Sequence, residues 1–287
     1  MSPLARSTPA PATRRLGLGI GWRPELESLI ASADLGFVEA VAENVDARRL
    51  PGALVDARER GLQVIPHGIR LSLGGAERPD HARLDHLAIL ADSLDSPLVS
   101  EHIAFVRADG VEAGHVLPVA RNWQTLDILT ENVQLAQARL PVPLALEHVA
   151  AMVEWPHAEM DEAAFVTELL HRTGALLLLD LSNLYANAYN HGYDAIAALA
   201  RFPLDRIAYV HVGGGEHRNG MYHDTHSHPV VPGVLTLVEE LFSLTDAPGV
   251  LLERDDGFPP EDELHAEVLA IDAAAKRGAA RHGATAS

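Results

Sequence analysis

Eight short apolar runs, each followed by a longer amphipathic stretch, predict an α/β chain whose parallel strands close into a (β/α)8 TIM barrel. Two further observations support that class. No Pro/Gly/Ser-rich linker or low-complexity block interrupts residues 16–276, so one domain of barrel size, about 250 residues, is expected there. Polar residues able to bind metals also stand directly after the apolar runs, where a barrel gathers its active site.

The runs and patterns alternate in order. Run 16–21 precedes a helical pattern over 24–33, with Pro24 where a first-turn proline belongs. Run 35–41 precedes 50–60, closed by Gly61 after arginine in the last turn. Runs 62–66 and 97–100 precede patterns over 80–93 and 122–139. Run 142–146 precedes 161–172, closed by Gly174, and run 175–179 precedes 192–201. Runs 207–210 and 249–252 precede 232–243 and 260–276. Several runs are rich in Val, Ile and Leu, as strands covered on both faces are. The competing open doubly wound sheet would place a phosphate loop after its first strand. Leu16-Gly17-Leu18-Gly19-Ile20-Gly21 lacks the G-x-x-G step into a helix and runs into Trp22-Arg23-Pro24, which disfavours dinucleotide binding.

Composition removes other classes. Lys plus Arg total 22 against 40 Asp plus Glu, a formal net charge of −18, which repels phosphate backbones and argues against nucleic acid. Hydrophobic residues make up 47%, enough for one large core. No apolar run approaches the ~18 residues of a membrane span. Residues 1–15, with Arg6, Pro9, Pro11, Arg14 and Arg15, lack the apolar centre of a signal peptide. They are expected as a disordered tail, residues 277–287 as another, and the location as cytoplasmic. Cysteine is absent and histidine numbers 16, so disulfides and thiolate chemistry drop out and any metal rests on His, Asp, Glu and Asn.

The first polar residues after the runs are Glu39 and Glu43, His67, Glu101 and His102, Glu147 and His148, Asp180 and Asn183, His211, and Glu253. One such residue is ordinarily a helix cap or a hydrogen-bonded core group. Seven strands ending this way together point to a shared cleft, and carboxylates crowded there repel one another unless a cation intervenes. Five histidines, His211, His217, His223, His226 and His228, fall between residues 211 and 228. Asp224 and His226 are two apart, so an extended backbone would aim both at one centre. His217, His223 and His228 equally suit a solvated loop. Imidazole suits Zn, Fe, Cu and Ni, and carboxylate suits Mg and Mn. About nine candidate donors exceed the four of a tetrahedral zinc, so with bridging carboxylates two or three metals are expected. Glu43, Glu101 and His191 are expected behind the ligands. Trp22 and Trp123 are expected to pack the barrel ends, and Arg23 and Arg254 to hold a carboxylate ligand or a peptide C-terminus.

Gly19-Ile20-Gly21-Trp22-Arg23, Glu43-Asn44, His67-Gly68 with Leu71-Ser72-Leu73-Gly74, and Ser100-Glu101-His102 form one part of an ordered motif set. Leu117-Pro118, Leu146-Glu147, Leu178-Leu179-Asp180 with Asn183, His211, Asp224-Thr225-His226 and Glu253-Arg254-Asp255-Asp256 complete it. In this order and spacing the set resembles the multinuclear non-haem iron-dependent oxidase family, which includes the methanobactin biosynthesis oxidase. The resemblance implies a barrel holding two or three irons in mixed Fe(II)/Fe(III) valence. It implies O2-dependent oxidation of residues, most often cysteine, in ribosomally synthesised precursor peptides. By position its iron ligands fall on His67, His102, Glu147, Asp180, Asn183, His211, Asp224, His226 and Glu253. A separate partner protein that recognises the leader peptide is expected, and the −18 charge favours a basic partner or leader. Two positions depart from the family pattern. Glu147-His148-Val149 replaces Glu-Asn-Pro, and Asp180-Leu181-Ser182-Asn183 replaces Asp-x-Asn-Asn. His148 is open as an extra ligand, a supporting donor or a substrate contact. Two other readings stand beside the oxidase: a Zn- or Mn-dependent hydrolase or isomerase on a xylose-isomerase-like barrel, and a non-catalytic metal-binding scaffold.

Overall fold

The computed structural model describes residues 15–285. Strand β1 (Gly17–Gly21) leads through α1 (Glu27–Ser32) to β2 (Phe37–Val41), and α2 (Gly52–Glu59) leads to β3 (Gln63–Gly68). Helix α3 (His81–Leu94) precedes β4 (Val99–His102), after which β5 (Ala104–Ala108) and β6 (Val111–Pro118) form a hairpin ahead of α4 (Trp123–Gln137). Then come β7 (Leu144–Glu147), α5 (Glu162–Thr173), β8 (Leu176–Asp180), α6 (Leu181–His191) and α7 (Ala195–Leu199). Strand β9 (Ile207–Val212), a small hairpin of β10 (Glu216–Arg218) and β11 (Met221–His223), α8 (Pro232–Leu244), β12 (Gly249–Leu252) and α9 (Glu261–Thr285) complete the chain. Eight strands close in the order β1-β12-β9-β8-β7-β4-β3-β2, parallel throughout. This is the TIM barrel the alternation predicts.

Side chains alternate along a strand, and that period positions the site. Leu16, Phe37, Ile65, Leu98, Ala145, Leu176, Leu178, Tyr209 and Leu251 belong to one buried cluster. Stepping two residues on from these positions reaches Glu39, His67, Ser100, Glu147, Asp180, His211 and Glu253, every one of them buried. An apolar floor therefore lies beneath a polar layer at the C-terminal ends of the strands. The intervening positions, Val38, Val64, Val99, Leu146, Leu177, Val210 and Leu252, belong to the larger core beneath the helices.

Three expectations need correction. Strands β3, β4, β7, β8 and β9 run one or two residues further than their apolar runs, because their terminal polar residues complete the ladder. The pattern after β8 predicts a helix over 192–201, where α7 (Ala195–Leu199) lies, but it misses α6, which begins at Leu181. Asp180 caps it, accepting the N–H groups of Ser182 at 2.6 Å and Asn183 at 2.7 Å, which is the N-cap geometry. Residues 277–285 are not a disordered tail, since α9 continues to Thr285 against α8; residues 286 and 287 lie outside the described residues. The N-terminal tail expectation likewise lies outside them except at Arg15, which pairs with Asp246 at 2.7 Å.

The α8–α9 contact is close at Gly278, where a Cβ would stand 2.3 Å from the Glu239 carbonyl oxygen and 2.8 Å from Phe242 Cβ. Gly278→Val is therefore expected to lower stability by about 1–3 kcal/mol through overpacking. Urea unfolding followed by circular dichroism measures this, and an unchanged midpoint would restore the disordered tail.

Candidate metal centre

The polar layer takes shape from both strands and loops. Glu39, His67, His102, Glu147, Asp180 and His211 lie on β2, β3, β4, β7, β8 and β9, and Glu253 directly follows β12. Asp224 and His226 come from the segment after β11. Gly213-Gly214-Gly215 lets that segment fold back onto the end of β9. A Cβ at Gly213 would stand 2.6 Å from His226 Cδ2, at Gly214 2.0 Å from the His228 carbonyl oxygen, and at Gly215 2.1 Å from that of His223. Asp224 and His226 meet through a turn rather than along an extended strand. His226 has φ +49°, and its Nε2 lies 2.9 Å from Asp224 Oδ2.

At one end, His67 Nε2 and His102 Nε2 each lie 3.4 Å from Glu147 Oε2. At the other, His211 Nδ1 lies 3.0 Å from Glu253 Oε2, 3.6 Å from Glu147 Oε1 and 3.8 Å from Asp180 Oδ2. His226 Nδ1 is 3.3 Å from the same Glu253 oxygen. Donor groups overlap as a result. His67, His102 and Glu147 make one, Glu147, Asp180 and His211 a second, Asp180, His226 and Glu253 a third, and Glu39, His211 and Glu253 a fourth, the atoms within each lying within 4.8 Å of one another. Asn183 touches the cluster through its amide, 3.3 Å from Glu147 Oε1. Glu39 stands at a strand end in the sequence but outside the motif-based ligand set. The inward period of two on β2, Phe37 then Glu39, is the signal that places it here.

Donor atoms divide into anchored and bare. Asp180 spends Oδ1 on the α6 cap, Asp224 spends Oδ2 on His226, and His211 Nε2 lies 2.8 Å from Glu39 Oε2. Asp180 Oδ2, Asp224 Oδ1, His211 Nδ1 and Glu147 Oε2 are buried without a hydrogen-bond partner. Buried polar atoms are almost always satisfied. Glu147, Asp180 and His211 share one donor group, a convergence that fits a metal ion, whereas Asp224 belongs to none of the four groups and meets the cluster through His226.

Protons balance the charge in the metal-free chain. Burial opposes charging of His102, but Glu147 and Glu101 outweigh it and push the imidazole up to about 9. Burial, with Asp224 and Glu147 nearby, raises Asp180 to about 7. Burial would also raise Glu147, yet His102 and His211 hold it down at about 2. His211 and His226 are held well above the usual imidazole range against burial, mainly by Glu39 and by Asp224 respectively.

A cavity of about 840 Å³ opens over these groups and is lined by His67, His102, Glu147, His226, Glu253 and, on its outer wall, Met152. Other expected residues take surrounding places. Glu101 accepts the N–H groups of Leu71 at 2.9 Å and His102 at 2.8 Å, and Glu43 accepts that of Ile69 at 3.0 Å. Arg23 holds Asp255 and lies 3.9 Å from Glu253, whereas Arg254 pairs with Glu267 on α9. His148 packs on Phe202 with Nδ1 3.4 Å from Glu162. Ser182 Oγ donates to the Gly213 carbonyl at 2.9 Å and accepts its N–H at 2.6 Å, tying α6 to the triple-glycine loop. His191 lies outside the cluster, its Nε2 2.6 Å from the Ala151 carbonyl. His217 meets Tyr189 and Tyr222 edge-on, and His223 and His228 contact Arg218 and Thr225. Trp22 is buried as expected, but Trp123 is 52% exposed.

Residues 17–276 match the family described as the RiPP precursor modification enzymes MbnB/TglH/ChrH. The chain belongs to that family. A UPF0276 protein of Streptomyces avermitilis is 52% identical over 264 residues, covering 89% of this chain and 54% of its own; the chain thus spans about half the length of that relative. A UPF0276 protein of Caulobacter vibrioides is 34% identical over 277 residues, covering 94% of this chain and 98% of its own. Among solved structures, an L-ribulose 3-epimerase superposes with TM-score 0.61 at 16% identity, covering 94% of this chain and 98% of that one. Endonuclease IV from Thermus thermophilus gives 0.56 at 20%, covering 90% and 98%. At such identities these two share the fold alone. Among the described residues no helix is long and apolar enough to cross a membrane.

Because a cation must displace protons here, the affinity of the metal-free chain for Zn(II) should rise at least about tenfold per pH unit between pH 6 and 8, one proton leaving per decade. His102, at about 9, stays protonated across that window and must lose its proton on binding, and Asp180, at about 7, adds to the slope below neutrality. Calorimetry in two buffers of different ionisation enthalpy counts the protons. A pH-independent affinity with none released would rule this balance out.

Proposed function

We propose that this MbnB/TglH/ChrH-family enzyme is a multinuclear non-haem iron oxidase that uses O2 to modify a residue, foremost cysteine, of a ribosomally synthesised precursor peptide. The observation that carries the reading is the sharing of donors. Glu147 and Asp180 each belong to two of the candidate groups that do not involve Glu39, which suits carboxylates shared between ions rather than one isolated site. The ions would be held by His67, His102, Glu147, Asp180, Asn183, His211, Asp224, His226 and Glu253. Imidazole with carboxylate is a ligand set iron accepts. Bound iron in mixed valence supplies the electrons for O2 chemistry and a Lewis acid for a substrate thiolate.

The chain's own residues hold and enclose this chemistry. Arg23, fixed by Asp255 and near Glu253, positions the carboxylate side of the mouth. The cavity of about 840 Å³ admits a side chain with its flanking peptide bonds. Absence of cysteine in the chain leaves no thiol of its own to compete. A separate leader-recognising protein and action in the cytoplasm complete the proposal, and the net charge of −18 suits a basic partner.

Protein grown in iron-57 medium and purified without oxygen is expected to hold two or three irons per chain with coupled, mixed-valence Mössbauer signals. Zinc or manganese without coupled iron would overturn the oxidase in favour of the hydrolase or isomerase. Since Glu147 serves two donor groups, Glu147→Gln should lose at least one ion per chain. Asp224→Asn, at the edge of the cluster, should lose fewer. Elemental analysis after desalting makes the comparison, and equal retention in both variants would count against bridging by Glu147.

A further inference from the structure

A buried chain of hydrogen-bonding groups runs beneath the two ends of the centre. His67 Nδ1 lies 2.8 Å from Ser100 Oγ, and Ser100 Oγ lies 2.7 Å from the Tyr209 hydroxyl. The Tyr209 hydroxyl contacts Glu39 Oε2, and the same oxygen lies 2.8 Å from His211 Nε2. Every member is at most 3% exposed. We infer that Glu39 is an orienting carboxylate rather than a metal ligand, and that it sets the ring tautomers of both His211, directly, and His67, through Tyr209 and Ser100.

Counting hydrogens fixes the direction. A carboxylate only accepts, and each hydroxyl has one hydrogen to give. Tyr209 spends its hydrogen on Glu39, so its oxygen accepts from Ser100. Ser100, having spent its own, accepts from His67 Nδ1–H. The bare nitrogen of His67 is then Nε2, which lies 3.4 Å from Glu147 Oε2. On the other branch His211 donates Nε2–H to Glu39, leaving bare the Nδ1 that faces Glu253, Glu147 and Asp180. That nitrogen is one of the buried atoms without a hydrogen-bond partner. A metal-binding histidine commonly donates its second N–H to a carboxylate, which fixes ring and tautomer. Here one carboxylate serves two histidines in different donor groups, with Tyr209 and Ser100 as positioning residues for the farther one. Tyr209 is held edge-on against Phe37, ring centroids 5.7 Å apart, so its hydroxyl is fixed from below. The inference rests on the reading of the site as a metal centre.

The test is long-range ¹H–¹⁵N correlation of ¹⁵N-histidine-labelled protein loaded with Zn(II), a diamagnetic probe. His67 is expected to report a protonated Nδ1 and a metal-bound Nε2, and His211 the reverse. Tyr209→Phe, which keeps the ring, and Ser100→Ala should each shift the His67 nitrogens and leave those of His211 in place. Glu39→Gln should shift both and weaken Zn(II) binding about 10–100-fold. A His67 signal unmoved by Tyr209→Phe and Ser100→Ala, or a metal-bound Nε2 on His211, overturns the inference. Zn(II) retention after desalting is read separately, so failure to retain it sinks the metal-centre reading alone. In that event the metal-free chain still decides the relay, by whether His67 Nδ1 loses its protonated signature in Tyr209→Phe.

Discussion

Five carboxylates, Glu39, Glu147, Asp180, Asp224 and Glu253, lie among four histidines, His67, His102, His211 and His226, at one end of the barrel, and most of these side chains are out of water. An isolated ion transferred to such surroundings would cost tens of kcal/mol by continuum reckoning, so the charges must be neutralised together. In the metal-free chain protons do this, which is why His102 and Asp180 bind them so far above their ordinary ranges. Cations would do it with fewer compromises, since each could satisfy several bare donors at once. The electrostatic problem is created by the fold and solved by what the site binds.

The remaining architecture serves that cluster. Strand periodicity alone gives a ring of inward donors at a common height, but a barrel rim is too wide for strand ends to complete every group. The loop after β9 supplies the missing side chains, and only glycine at positions 213–215 allows it to lie flat enough for His226 to reach the Glu253 oxygen that His211 also faces. Ser182 secures the same loop to α6 through both hydrogen-bonding groups of Gly213. Its position under the site explains why a small hydroxyl suits that place.

The barrel was legible because eight apolar runs alternate with amphipathic stretches, and the ligand layer because polar residues interrupt those runs at their ends. Less visible were features set by tertiary contact. The helix start at Leu181 was hidden because Asp180 stands both as a strand-end donor and as a cap, and one letter does not reveal that its two oxygens divide the work. Ser100 stood out only as part of the Ser100-Glu101-His102 motif and Tyr209 only as part of run 207–210, since nothing local in β9 or β4 says that their hydroxyls meet. The β5–β6 and β10–β11 hairpins were obscured because β6 is largely exposed and β10 and β11 have three residues each, so they carry little apolar periodicity. Residues 277–285 read as a tail from their small and charged composition, yet glycine at 278 is what lets α9 approach α8.

Division of labour within single side chains is the principle that links support to chemistry here. Asp180 gives Oδ1 to the N–H groups of α6 and keeps Oδ2 bare. By capping α6 it also fixes the helix face that carries Asn183, Asn187 and His191. Those three residues hold the loop after β7, Asn183 at the His148 carbonyl (2.9 Å), Asn187 at the Val149 carbonyl and Ala151 N–H (3.0 and 2.7 Å), and His191 at the Ala151 carbonyl (2.6 Å). That loop begins at Glu147, the carboxylate between the two ends of the centre. One aspartate therefore contributes a donor atom and, through a helix of 11 residues, steadies a second donor on the neighbouring strand. His148 fits the same logic. Its ring is turned away to Phe202 and Glu162, so the side chain packs the back of the loop while its carbonyl accepts from Asn183 beside Glu147.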